Sequence, residues 1–171
     1  MTVVRTTEIA TPLGPMIAAA TADSLVLLEF ADRRMLATQF KRLGRLFGCS
    51  FERGRSTVVD RVRRQLGEYF GGEQTRFDIP LDLRGTAFQR RAWNALRRIP
   101  PGATRSYAEQ AAAIGRPAAV RAVARANGDN RIAIVVPCHR VIGSDGSLTG
   151  YGGGLWRKRR LLELESAAAG R

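Results

Sequence analysis

The chain of 171 residues has only two cysteines, one histidine and few aromatic side chains (7%). Cys49 and Cys138 are too few for a disulfide framework and do not lie at zinc-ligand spacing, which points to a reducing compartment, the cytoplasm. No apolar run approaches the roughly 20 residues needed to cross a bilayer, so no membrane span is expected. The opening residues, Met1 to Glu8, lack the basic-then-apolar layout of a secretory signal. There is no internal repeat, and no low-complexity tract beyond the Ala-rich tail after Ser166. Lysine is nearly missing: Lys41 and Lys158 are the only two, and arginine carries the positive charge. Acidic residues are scarce in one half only. Residues 84–171 hold 5 Asp+Glu against 16 Lys+Arg, a net of +11, whereas residues 1–83 hold 10 against 12, a net of +2.

The hydrophobic fraction of 44% and clear amphipathic segments exclude disorder. The length suffices for an ordinary core without metal or disulfide staples. Charge is therefore the informative part of the composition. A neutral module joined to a strongly basic one suggests that the second half faces a polyanion, with nucleic acid the expected partner.

The periodicities predict an α/β protein. A small antiparallel-sheet-plus-helix domain is expected over residues 1–82, followed by a mostly helical domain with a helix-turn-helix over residues 83–171. In the first, Val3 to Ile9, Met16 to Thr21 and Leu25 to Phe30 read as strands separated by turn clusters. Met35, Leu36, Phe40, Leu43 and Phe47 follow helical spacing, with Gly48 as a stop, and residues 57–70 repeat the pattern. Cys49 falls in a Gly-Cys-Ser loop with no chemical partner in sight. In the second half, Thr86-Ala-Phe-Gln89 and Ser106-Tyr-Ala-Glu109 fit capping boxes that open two helices. Phe88, Ala92, Leu96 and Ile99 give the first of these one apolar face. Pro117 suits the first position of a third helix through Ala126, in which Val120, Val123 and Ala124 can face the core. Arg121 and Arg125 then share an exposed face with the small Ala118 and Ala122. Two short helices joined by a Gly-containing turn make the helix-turn-helix pattern. Asn127 to Asn130 reads as a loop, the β-branched run Ile132 to Val136 as a buried extended segment, and about 155–165 as a final helix.

The single histidine, His139, directly follows Cys138 in Pro137-Cys-His-Arg-Val141. A free thiol is only a few per cent thiolate at neutral pH, so a nucleophilic cysteine needs a base, and an imidazole oriented by a carboxylate can serve. Glu165 is the candidate carboxylate. It lies three and four residues after Leu162 and Leu161, so a helix turns it inward, where it needs a partner. For an isolated Cys-His pair, a buried inert cysteine is the commoner outcome. The stretch Gly150-Tyr-Gly-Gly-Gly154 has neither P-loop nor dinucleotide spacing, leaving a backbone surface for a flat ligand or a plain loop.

Pro137-Cys138-His139-Arg140-Val141 resembles the active-site signature of the 6-O-alkylguanine-DNA alkyltransferases, the methylated-DNA–protein-cysteine methyltransferases. The resemblance continues, in family order and spacing, through Gly85-Thr-Ala-Phe-Gln, Trp93, Ile99-Pro-Pro-Gly102, Ser106-Tyr107, Arg121-Ala-Val123, Asn127-Gly-Asp-Asn130, Gly150 to Gly154 and Glu165. It implies a single-use alkyl acceptor acting on 6-O-alkylguanine, and on 4-O-alkylthymine, in duplex DNA, without a cofactor. By the same resemblance the damaged base is flipped into a pocket, and the Cys138 thiolate attacks the alkyl carbon as Tyr107 supplies a proton to guanine. His139, through a water, and Glu165 maintain the thiolate, while Asn130 orders the active-site turn. Cys138, Val141, Tyr151 and the backbone at Gly152 hold the base. Arg121 fills the gap in the stack, and Ala118, Ala122, Arg125 and Tyr107 meet the DNA at the minor groove. Some relatives hold a structural zinc in the first domain, but one Cys and no His there predict none here. Where some relatives carry a serine this chain has Gly152, so any contact is through backbone. A monomer is expected in the absence of DNA. Rival readings are a lesion sensor, which would replace the cysteine; a DNA-binding regulator, which would need no thiol; and a Cys-His-Glu hydrolase, which would leave Tyr107 and Arg121 without a purpose.

Overall fold

The computed structural model describes residues 2–73 and 76–170, which form two compact units, 2–84 and 85–170. The first contains β1 (Thr2–Ile9), β2 (Met16–Ala20), β3 (Leu25–Phe30), α1 (Leu36–Phe47), β4 (Cys49–Arg53) and α2 (Thr57–Phe70). The sheet runs in the order β3-β2-β1-β4. Its first three strands pair antiparallel, as the turn clusters between them predict, but β4 adds to β1 in parallel, with Cys49 opposite Thr2. The sheet is thus mixed rather than antiparallel, and Cys49 opens a strand rather than sitting in a loop. The cause is local. Gly48 ends α1 in the left-handed region (φ 56°), which reverses the chain at once. Cys49 and Phe51 then alternate inward against Val4, Ala19, Val26, Leu27 and Leu43. Leu36, Phe40 and Phe47 of α1 pack on the same cluster. A run of only five residues at an edge, with two inward side chains, carries too little pattern to announce itself.

The second unit contains α3 (Ala87–Arg97), β5 (Arg105–Ser106), α4 (Tyr107–Ala113), α5 (Val120–Gly128), a 3-10 turn (Cys138–Arg140), β6 (Val141–Ile142) and α6 (Leu155–Ala169). Both capping boxes are present: Thr86 with Gln89, and Ser106 with Glu109. Ala95 of α3, Ala111 and Ile114 around the end of α4, and Val123 of α5 form a shared core with Phe88 against it. Trp93 donates its indole N–H to the Ala126 carbonyl at 2.8 Å, joining α3 to α5.

The third helix differs from expectation at both ends. Pro117 sits inside a turn closed by Ala119 N–H to Arg116 C=O (2.9 Å), and α5 begins only at Val120. Proline suits the second residue of a turn as well as the first of a helix, so the sequence does not separate the two. Starting later shifts the buried stripe. Val123, Ala126 and Asn127 face inward, while Val120 and Ala124 are exposed, against the expected inward set. The helix also absorbs Asn127 and Gly128, which read as loop. Asn127 is held there by two reciprocal amide bonds with Gln110 of α4 (2.7 and 2.9 Å). α6 continues one turn beyond the expected end.

Candidate functional site

Residues 131–137 deliver Cys138, and they do so as a compact turn rather than as the extended segment expected. Ile132, Ile134 and Val136 are buried. Ile134 adopts φ 72°, and Val135 N–H bonds back to Ala133 C=O at 2.8 Å. A β-branched residue rarely occupies this region, at a cost on the order of 1–3 kcal/mol, unless its surroundings dictate it. Asn130 supplies that constraint. Its Oδ1 accepts Ile132 N–H (3.0 Å), and its Nδ2 donates to Val136 C=O (2.8 Å) and to Cys138 Sγ (3.2 Å). One buried amide thus replaces the ladder partners of a strand and reaches the sulfur itself. Cys138 then begins the 3-10 turn, half-buried and unbridged.

The next two side chains of that turn converge on α6. His139 and Glu165 are 0% and 1% exposed, and His139 Nε2 lies 2.8 and 3.0 Å from the two Glu165 oxygens. Arg140 grips the same carboxylate, Nε to Oε1 at 2.9 Å and Nη2 to Oε2 at 2.6 Å, and its Nη1 donates to Ile99 C=O at 2.7 Å. Burial by itself raises the Glu165 carboxyl, but the bonds from Arg140 and His139 and their charges hold it at about 2. Burial lowers His139, against the opposing pull of Glu165, so the imidazole is neutral at neutral pH. A neutral ring facing a carboxylate through Nε2 must carry its proton there. Nδ1 is then an acceptor, and it has no hydrogen-bond partner among the described residues.

A third group gathers around the Gly-rich stretch. The Tyr107 hydroxyl donates to Thr149 C=O at 2.9 Å, and Lys158 Nζ donates to the same carbonyl at 2.8 Å and to Gly150 C=O at 3.4 Å. The Lys158 ammonium also lies 5.8 Å from the centre of the Tyr107 ring. Burial lowers the Lys158 ammonium, while attraction to Cys138 acts in the other direction. Val141 is buried in β6, paired with Arg105; Tyr151 is half-buried and Gly152 exposed.

Arg121, Ala122 and Arg125 are exposed on α5, whereas Ala118 lies in the turn before it rather than on the helix. Cys138, His139, Glu165 and Asn130 are therefore joined by direct bonds or adjacency, and Tyr107 belongs to the Lys158 group. Cys49 belongs to the first unit, packed on its core, with its thiol raised by burial. Among the described residues no three His, Cys, Asp or Glu side chains gather to hold a metal. Sequence reasoning passed over Arg140 and Lys158. Arg140 had one available signal, since an inward Glu165 requires a cation. Lys158 had a weaker one, as the only lysine in an arginine-rich half.

Comparison with known proteins covers nearly all of the chain. The sequence profile described as 6-O-methylguanine DNA methyltransferase, ribonuclease-like domain, matches residues 4–83. The profile described as the DNA binding domain of the same methyltransferase matches residues 87–167. A methylated-DNA–protein-cysteine methyltransferase of Mycolicibacterium paratuberculosis is 54% identical over 157 residues, 88% of this chain and 93% of that protein. The constitutive enzyme of that name from Bacillus subtilis is 43% identical over 156 residues, 91% of each chain. The crystal structure of Mycobacterium tuberculosis OGT in complex with DNA superposes with a TM-score of 0.81 at 47% identity, covering 97% of this chain and 94% of that one.

Proposed function

This chain belongs to the 6-O-methylguanine DNA methyltransferase family and repairs DNA by transferring an alkyl group to a protein cysteine, and we propose that the acceptor is Cys138. The observation that carries this reading is the proton path beside it. His139 is locked by Glu165 into the tautomer whose Nδ1 accepts, and Asn130 Nδ2 touches the sulfur. The Cys138 proton passes through a water to Nδ1, and the imidazolium formed is stabilised by the buried Glu165 carboxylate. The thiolate attacks the alkyl carbon in line. The S–C bond forms as the C–O bond to guanine breaks, and the electron pair leaves with the base, which takes a proton from the Tyr107 hydroxyl. Lys158, sharing the Thr149 carbonyl with Tyr107, stabilises the phenolate left behind.

The product is a thioether, which nothing in the site can reverse, so each molecule acts once. The base, 6-O-alkylguanine or 4-O-alkylthymine, lies flipped against Val141, Tyr151 and the backbone at Gly152. Arg121 enters the minor groove and fills the stack, with Ala122 and Arg125 beside it on α5, and Ala118 and Tyr107 nearby. Residues 1–82 support the reacting domain, residues 83–171. No cofactor takes part. The protein works as a monomer before it meets DNA, in the cytoplasm, where a free thiol survives.

The test is to incubate the protein with duplex DNA carrying one 6-O-methylguanine and to measure intact and peptide masses. One added methyl on the Cys138 peptide, absent with unmodified DNA, is expected. Tight binding without a mass change under reductant would convert the reading to a lesion sensor, and neither binding nor adduct would remove it.

A further inference from the structure

Three buried groups meet where the Cys138 turn packs on α6, and the proton path from Cys138 uses only two of them. His139, Arg140 and Glu165 are 0%, 5% and 1% exposed. Arg140 and His139 share one carboxylate. Arg140 Nε and Nη2 reach the Glu165 oxygens at 2.9 and 2.6 Å, and His139 Nε2 reaches them at 2.8 Å. Arg140 Nη1 donates to the Ile99 carbonyl, just past α3, at 2.7 Å, which fixes the plane of the guanidinium. One guanidinium and one carboxylate cancel, so the cluster is balanced while the imidazole stays neutral. Two more charged groups face it: the Lys158 ammonium of α6 and, once ionised, the Cys138 thiolate. Lys158 lies roughly 10 Å along the helix from Glu165 and donates to the Thr149 and Gly150 carbonyls. It is too far away to take the place of Arg140.

We propose that Arg140 is a positioning residue for the proton relay: by balancing Glu165 it keeps a proton off His139 Nδ1, the atom that must accept from Cys138. The assignment rests on the reading that Cys138 is the alkyl acceptor. Removing the guanidinium strips a contacting cation from a carboxylate that is 1% exposed. Leaving such a charge uncompensated is strongly unfavourable, and uptake of one proton relieves it. That proton has two places to go, and both close the relay. On the ring it makes an imidazolium, which carries protons on both nitrogens. On Glu165 it makes a carboxyl that donates to Nε2, and the ring's own proton must then sit on Nδ1. In either arrangement Nδ1 is a donor and cannot receive the thiol proton.

The experiment follows single-turnover transfer from duplex 6-O-methylguanine against pH in the unsubstituted protein, Arg140→Met, Arg140→Lys, and Arg140→Met combined with Glu165→Gln. In Arg140→Met the acid limb is expected to move up by at least about one pH unit. The rate loss should be about tenfold at about pH 7 and shrink as the pH is raised towards about 9. Arg140→Lys keeps a cation and should move the limb by less than about half a unit. The double variant removes both charges, so its limb should return to that of the unsubstituted protein while its plateau stays low. An arginine with a merely structural role would lower the rate alike at every pH. His139 is the single histidine of the chain, so its ring nitrogens give unambiguous nitrogen-15 NMR signals that report the tautomer without any alkylation. At about pH 7, Nδ1 should be unprotonated in the unsubstituted protein and the double variant, and protonated in Arg140→Met. An unmoved acid limb in Arg140→Met, or a protonated Nδ1 in the unsubstituted protein, would overturn the proposal while leaving Cys138 as the acceptor. The second of these results needs no variant to fold. No adduct on Cys138 in the unsubstituted protein would remove the Cys138 reading, and the relay with it.

Discussion

Each half of this molecule buries one glutamate against an arginine. Glu29, on β3 and 1% exposed, accepts the Phe30 N–H at 3.0 Å and pairs with Arg33 four residues along the chain. Glu165, equally buried, pairs with Arg140 across 25 residues and also with His139. Both obey the rule that a buried carboxylate needs a cation and hydrogen bonds. The difference is the histidine at Glu165. Glu29 bonds the next backbone N–H and the arginine one turn on, so its charge pins the end of a strand. At Glu165 the imidazole has a second nitrogen, and that nitrogen can accept a proton from elsewhere. A buried ion pair is thus structural by default, and in the proposed relay the histidine beside it is what links it to the Cys138 thiol.

The two cysteines offer the strongest way to break this contrast. Cys138→Ser should abolish alkyl transfer, a loss of about a thousandfold or more in adduct formation by mass spectrometry, whereas Cys49→Ser should leave the rate unchanged. The glutamates sharpen it. Glu165→Gln and Glu29→Gln each remove a buried carboxylate's charge from beside an arginine and should each cost about 3 kcal/mol in chemical denaturation. Only Glu165→Gln should also slow transfer in the folded protein, by about 10- to 100-fold in stopped-flow measurements. Equal rate losses would make the Glu165 contribution structural as well.

Arg121 tests the exposed face of the basic half. Arg121→Ala should slow repair of duplex DNA at least about tenfold more than reaction with free benzylguanine, since the duplex alone must be held open. Equal losses would take Arg121 out of that role.

The profile against pH is a further test. Glu165, held at about 2 against an ordinary value near 4.5, contributes stability that is fully present above about pH 5 and lost as pH falls towards 2, about 3 kcal/mol in all. His139, lowered by burial, must take up a proton on unfolding, so its contribution is present above about pH 6.5 and declines below it. Both slopes have the same sign, and Glu165→Gln should flatten the acid part of the urea-stability profile. Transfer itself should hold steady as pH drops to about 6.5 and fall only beneath it, when His139 is already protonated.

What the sequence made legible was whatever depends on neighbours in the chain. The capping boxes at Thr86 and Ser106, the strands β1 to β3 set off by their turn clusters, and the inward turn of Glu165 follow from the local sequence alone. The Cys-His pair gained its meaning only from the longer resemblance. What stayed hidden depends on distant partners. β4 exists because β1 offers it an edge, and residues 132–136 look like a strand because nothing in their own pattern reveals that Asn130 folds them into a turn. α5 starts late because Pro117 satisfies a turn and a helix equally. Arg140 and Lys158 are surface residues by composition and become internal only when Glu165 and the Thr149 carbonyl are brought to them.

α6 carries an unusual inside: Arg157, Lys158, Leu161 and Glu165 are its buried residues. Lys158 and Glu165 are separated by about two helical turns, so in the proposed reaction one face of one helix serves both the leaving base and the thiol. Codon insertion or deletion between them would rotate one against the other by about 100° and disconnect the two ends of the reaction together. Beyond Glu165 the same event changes nothing that reacts. The gene should therefore tolerate length variation after codon 165 and none across the preceding seven, which makes this short interval a ruler as much as a scaffold.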